Sequence, residues 1–199
     1  AFFTAIVSIL FAVSAGYALG RMRVKFRNII LGVILASAMF PQITIIGPLF
    51  LMLRKLRLLN TYAGLVIPYC SFGLPLVIWI MMNFFKDLPG DIEDAAKIDG
   101  ASTVQTIIYI MAPLAMPGIV TSAILVFIFA YNEFIFALVF NTNQYMRTVT
   151  VGITMFPGLY EIPWGTIFAA ATVVTLPLIA LVLVLQKRIV SGLTSGAAK

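Results

Sequence analysis

Carboxylates carry most of the chemistry available to this chain. Five of its seven fall between Lys86 and Pro113, in KDLPGDIEDAAKIDGASTVQTIIYIMAP. Paired acids can serve as general acid and base, but these stand beside bases at spacings that make ion pairs and helix starts. Glu93 and Lys97 form an i,i+4 acid-to-base pair in the better orientation. Asp91, Glu93 and Asp94 fall in a first helical turn, where the helix dipole favours negative charge. The chain has no histidine, so the commonest general base and metal ligand is missing, and neither a Ser/His/Asp nor a Cys/His set can be built. No Gly-rich loop ending in Lys-Ser/Thr is present to cradle a nucleotide's phosphates. Glu133 stands apart in an apolar run, where an ionisable group is a functional candidate.

The element that must position the clustered acids is a short capped helix. Pro89-Gly90 breaks the apolar helix before it. Asp91 is read as the new cap, with Asp94 at capping-box spacing. Ile92, Ala95 and Ala96 share one face, where alanines allow close approach. Gly100 suits a left-handed C-terminal cap. Ser102 and Gln105 then repeat the capping-box spacing and start a second helix that enters the membrane near Pro113. A solvated loop between spans is the plainer reading. Two capped starts around one glycine favour a docking element, offered to a partner that supplies energy this chain has no site to harvest.

Asp94-Ala95-Ala96, three residues, Gly100, nine residues, Ile110, one residue and Ala112-Pro113 resemble the EAA loop of ATP-binding-cassette (ABC) importer permeases. The spacing matches throughout; Asp94 stands for the usual Glu and Ala112 for the usual Leu. Tyr131-Asn132-Glu133-Phe134 resembles the WNEF element of sugar permeases. Gly192-Leu193-Thr194-Ser195-Gly196-Ala197 resembles the GLTAGA tail of the second, G-type permease of maltose-like importers. The resemblance implies an all-α integral membrane fold, the type I ABC importer transmembrane domain. It implies that Glu93, Asp94, Ala95, Ala96, Lys97, Asp99, Gly100 and Ala101 form a cytoplasmic coupling helix that docks on an ATPase subunit. The partners implied are a homologous second permease, two ATPases that bind ATP and Mg, an external solute-binding protein and membrane lipid; no cofactor belongs to this chain. The cargo implied is a sugar, with an amino acid, peptide or anion as the alternative.

Composition agrees with a membrane protein. The chain is 62% hydrophobic and 10% charged, with a mean hydropathy of +1.09, outside the soluble norm. A net charge of +6 would suggest nucleic acid in a soluble domain. Here the bases flank apolar runs, so cytoplasmic loops and anionic lipid explain them better. Cys70, the single cysteine, lies in an apolar run and reads as a buried small hydrophobe. The sequence opens inside an apolar run, with neither an initiator Met nor a three-part signal peptide. It reads as a fragment lacking the family's further N-terminal helix and outer loop.

One domain, 1–199, is expected to hold five spans: 1–19, 29–53, 61–85, 114–140 and 166–185. Twenty helical residues rise about 30 Å, enough to cross the hydrocarbon. Ser8, Ala12, Gly16 and Gly20 make a small-residue packing stripe on the first, against a partner in this chain or another. Pro41 and Pro48 interrupt the second, and Pro68 and Pro75 are expected to kink or partly break the third. Broken helices line watery cavities in transporters. Gln42 is therefore a candidate pathway residue, as are Asn132 and Glu133; helix–helix hydrogen bonds are the competing role. Arg21, Arg23, Lys25 and Arg27 mark the inner side, with the loop 86–113 and the C-terminus also cytoplasmic. Arg54, Lys55 and Arg57 oppose the positive-inside rule locally. The outer loop 141–165 carries Pro157-Gly158, Tyr145, Tyr160 and Trp164, suited to the membrane interface or to a protein contact.

Overall fold

The small-residue stripe finds its partner inside the chain. In a computed structural model, which describes residues 1–156 and 162–194 with side chains described as far as Leu185, helix α1 (Phe2–Arg21) lies against helix α4 (Tyr62–Asp87). Ser8 and Ala12 are fully buried. A Cβ on Gly16 would fall 2.7 Å from the Cβ of Met81, and one on Gly20 would fall 2.9 Å from the carbonyl oxygen of Met82. Side chains larger than hydrogen at these two positions would hold the helices apart. Tyr17 sets its ring edge-on to Phe85 at 5.7 Å, in a core that also contains Val77, Met81 and Met111.

The two helices run in the same direction. Toward one end, the Ser8 hydroxyl donates to the Cys70 sulfur at 3.4 Å, and the Cys70 thiol donates to the Thr4 carbonyl at 3.8 Å. At the other end, Arg21 meets Pro89, just beyond α4. The intervening chain must therefore travel back, and it does so as two helices. Helix α2 (Arg27–Ser37) and helix α3 (Gln42–Lys55) meet at 88°. Pro41 is the residue that caps α3, where a missing N–H costs nothing. Pro48, by contrast, sits inside α3 without ending it.

The third span is not broken, and the fourth is. Helix α4 runs unbroken for 26 residues through Pro68 and Pro75. Both prolines are buried in the core, where packing against neighbouring helices offsets the lost backbone bonds. The segment 114–140 is not one helix. Helix α6 (Thr103–Leu114) meets helix α7 (Met116–Asn132) at 82°, and a break at Glu133 and Phe134 precedes helix α8 (Ile135–Phe140). Helix α7 runs back along α4: Gly118 packs under the Phe84 ring and Gly73 under Val126.

A second core gathers at the end opposite Arg21, around Leu53, Tyr69, Phe136, Phe140 and Val151. Asn60, held at φ +58°, ties the α3–α4 turn to the chain after α8. Its N–H donates to the Phe140 carbonyl at 3.0 Å, and its Oδ1 accepts from the Asn143 N–H at 2.7 Å. Arg54, Lys55 and Arg57 thus lie at the same end as the segment 141–156. That segment holds a short helix, α9 (Val149–Ile153); Pro157, Gly158, Tyr160 and Glu161 lie outside the described residues. Helix α10 (Trp164–Thr194) follows, passing through Pro177 and continuing beyond Leu185. Tyr131 of α7 donates to the Val174 carbonyl of α10 at 2.7 Å. Alone, α1, α4 and α10 are long and apolar enough to cross a membrane, and the bent pairs α2–α3 and α6–α7 make five crossings if each counts once. No strand occurs among the described residues.

Candidate functional site

Helix α5 (Gly90–Ile98) begins two residues earlier than the acids suggest. Pro89 occupies the N-cap position at φ −58° and ψ 137°, and no side chain caps the helix. Asp91 therefore lies within the first turn and cannot act as the cap, so its expected pairing with Asp94 does not form. Asp94 instead binds Lys97 at 3.3 Å.

Its C-terminus closes as the glycine predicts. Gly100 takes φ +79°. Its N–H donates to the Lys97 carbonyl at 3.1 Å, and the Ala101 N–H donates to the Ala96 carbonyl at 3.0 Å. These two bonds make a Schellman motif. Helix α6 then opens on a complete capping box: Ser102 N–H donates to Gln105 Oε1 at 2.8 Å, and Gln105 N–H to Ser102 Oγ at 3.4 Å. Residues Thr106–Met111 of α6 are wound as a π-helix, a winding seen mostly as short functional bulges.

The faces of α5 divide sharply. Inward lies Ala96, buried, with Ile92 half-buried and the Glu93 side chain only 13% exposed. One Glu93 oxygen meets Arg21 Nε at 3.3 Å, the other meets Lys97 Nζ at 3.0 Å, and the Tyr17 hydroxyl reaches the same carboxylate. Arg21 Nη2 also donates to the Pro89 carbonyl at 2.9 Å. Hydrogen bonds to Glu93 first, and then to Asp94, hold the Lys97 ammonium above the ordinary lysine range. Outward lie Asp91, Asp94, Ala95, Asp99 and Gly100, with Ile98 86% exposed. Val104, Ile108 and Tyr109 of α6 are exposed as well. Ile98 is thus an apolar residue on the exposed side of α5 with Asp94 and Asp99.

Among the residues singled out in this loop by sequence, Asp94, Ala95, Lys97, Asp99 and Gly100 share the exposed side, Ala101 is half-buried, and Glu93 and Ala96 face the body of the protein. Ala95 does not join Ile92 and Ala96 on the inner face. Sequence reasoning missed the roles of Arg21, which it read as a marker of the inner side, and of the Pro89 carbonyl. An arginine one helix away carries no local pattern that points to a glutamate 72 residues later.

The three pathway candidates stand on different elements. Gln42 is half-buried in the first turn of α3. Asn132 is exposed and donates to its own helix at the Ile128 carbonyl, 2.9 Å away. Glu133 is 7% exposed and caps α8: Oε1 accepts from Phe136 N–H at 2.9 Å and Oε2 from Ala137 N–H at 3.2 Å. Its own carbonyl accepts from the Thr150 hydroxyl at 3.0 Å. Among the described residues no hydrogen bond joins Gln42 to either of the other two.

Known proteins share this architecture. Residues 8–195 match the family described as "Binding-protein-dependent transport system inner membrane component". The trehalose/maltose transport system permease protein MalG of Thermococcus litoralis is 48% identical over 93% of this chain and 67% of its own length. The trehalose transport system permease protein SugB of Mycobacterium tuberculosis is 42% identical over 98% of this chain and 72% of its own. The crystal structure of a bacterial ABC transporter involved in the import of the acidic polysaccharide alginate superposes with a TM-score of 0.71. It covers 94% of this chain and 74% of its own at 23% identity, a likeness of fold. With nearly its whole length matched, the chain belongs to the inner membrane components of binding-protein-dependent transport systems.

Proposed function

We propose that this chain is one of two homologous permeases that form the sugar pathway of an ABC importer, with α5 as the coupling helix. Helix α5 and the C-terminus would lie in the cytoplasm, and ATP and Mg would be bound by two ATPase subunits rather than by this chain. The segment 141–165 would face the external binding protein. The observation that carries the docking role is the exposed side of α5. Ile98 stands exposed between Asp94 and Asp99, on a helix closed at its C-terminus by Gly100 and rooted to α1 by Glu93 and Arg21. Such a helix presents an apolar knob with an acidic rim and does not need to fold on contact, which limits the ordering cost of docking. A sugar as cargo is supported by relatives named for trehalose, maltose and sulfoquinovosyl glycerol transport.

The test is uptake into vesicles holding this permease with its partner permease, ATPases and binding protein. ATP-dependent accumulation of trehalose or maltose is expected. Accumulation of an amino acid, peptide or anion in place of sugar would change the cargo. Uptake without ATP, or purification without a nucleotide-binding subunit, would overturn the coupling role.

A further inference from the structure

We infer that Arg21 is the positioning residue through which a movement of α5 reaches the membrane helices. The inference rests on the docking of α5 proposed above. Arg21 is the last residue of α1, and its guanidinium grips α5 at two places. Nε faces the Glu93 carboxylate at 3.3 Å as an ion pair without a hydrogen bond, and Nη2 donates to the Pro89 carbonyl at 2.9 Å. The side chains of Arg21 and Glu93 are 14% and 13% exposed, so water screens the pair far less than it screens a surface ion pair. Arg23 and Lys25, two and four residues on, are exposed. Within that basic run, Arg21 is turned to structural use.

Tyr17 of α1 also reaches the Glu93 carboxylate, at that one point, and α5 is attached to the chain at its two ends. At its N-terminus it continues from α4 through Leu88 and Pro89, one short backbone link about which it could pivot. At its C-terminus it passes through Gly100, whose surroundings are open. A push on Ile98 could therefore rotate α5 about Pro89 and dissipate there. The Arg21 clamp blocks that rotation because it holds the carbonyl before the helix and an acid one turn into it together. What Arg21 receives, α1 and α4 share, since Gly16 and Gly20 leave no gap between their backbones. A planar guanidinium supplies both contacts at once; an ammonium in its place would supply one point charge.

The experiment uses the complete transporter in vesicles and reads sugar taken up per ATP hydrolysed, alongside co-purification of the ATPase subunits. Arg21→Ala should keep the subunits together and lower uptake per ATP by at least about fivefold, the lower end of coupling between two sites. Arg21→Lys should fall between that variant and the parent, and Arg23→Ala should match the parent. Uptake per ATP within about twofold of the parent in Arg21→Ala would overturn the inference, being smaller than that coupling range. Loss of the ATPase subunits from Arg21→Ala would overturn it too, since Arg21 would then serve assembly rather than transmission. Ile98→Asp reports on docking separately: retained subunits and uptake there would sink the docking reading itself, whatever Arg21 does.

Discussion

Gly16 of α1 faces Met81 of α4 so closely that a Cβ on the glycine would fall 2.7 Å from the methionine's own. The atoms in the way are backbone and Cβ, which cannot swing aside as a side-chain end can. Gly16→Ala should force the helices apart and cost about 1–3 kcal/mol of stability, the usual range for overpacking. Gly32 of α2, with nothing within 4 Å of its added Cβ, is the control. Gly32→Ala should be neutral or gain up to about 1 kcal/mol through helix propensity. Thermal unfolding of the two variants in detergent checks the contrast; equal melting temperatures would contradict the packing.

Glu133 is an acid in an apolar stretch whose two oxygens are spent on the N–H groups of Phe136 and Ala137. Removing the side chain strands two buried donors, each costing about 1–3 kcal/mol. Glu133→Ala should therefore reduce the amount of folded protein in the membrane. The surviving fraction should transport with an unchanged KM, because the carboxylate holds α8 and not the cargo. A variant that folds normally but has a raised KM would return Glu133 to the pathway.

The same residue shows how far sequence could go. An acid amid apolar side chains is visible as unusual, but its partners are set by a helix break at Glu133 and Phe134 that alternation of residue types does not reveal. Local chemistry was legible at three places where the partners lie within a turn of each other. The Ser102–Gln105 box, the Glu93–Lys97 pair and the left-handed Gly100 all form as their spacing requires. Asp91 failed as a cap because Pro89, already extended, starts the helix first. The interruption at Pro41 was legible, but the 88° and 82° angles were hidden because length and hydropathy see an apolar run, not its direction. The Arg21–Glu93 contact was hidden because it depends on α1 and α4 lying parallel, a relationship fixed by tertiary packing.

Lys97 gives a pH prediction. Its ammonium is hydrogen-bonded by Glu93 and Asp94, which raises its pKa above the ordinary 10.5. A raised folded-state pKa contributes stability that is fully present below the unfolded value and is lost only as pH rises through the folded one. Lys97 should therefore stay charged and paired, and co-purification of the ATPase subunits should not vary on its account, between about pH 6 and about pH 9. Lys97→Met should leave that flat profile unchanged in shape. A midpoint near neutrality that disappears in Lys97→Met would contradict the assignment.

Gly100 offers the sharpest separation between backbone and side chain. Nothing lies within 4 Å of an added Cβ, so steric crowding cannot explain a loss there. The constraint is φ +79°, which costs an ordinary L-residue roughly 1–2 kcal/mol and asparagine less. Helix α5 has nine residues, too few to be stable alone, so a penalty of that size at its closing turn is large for the element. Gly100→Leu should break the two closing bonds and abolish ATP-driven uptake while the protein still inserts in the membrane. Gly100→Asn should insert equally and keep most of the uptake. Vesicle uptake, normalised to the amount of inserted protein, compares the two. A leucine variant transporting at the parental rate would show that α5 does not need this turn to act as a lever.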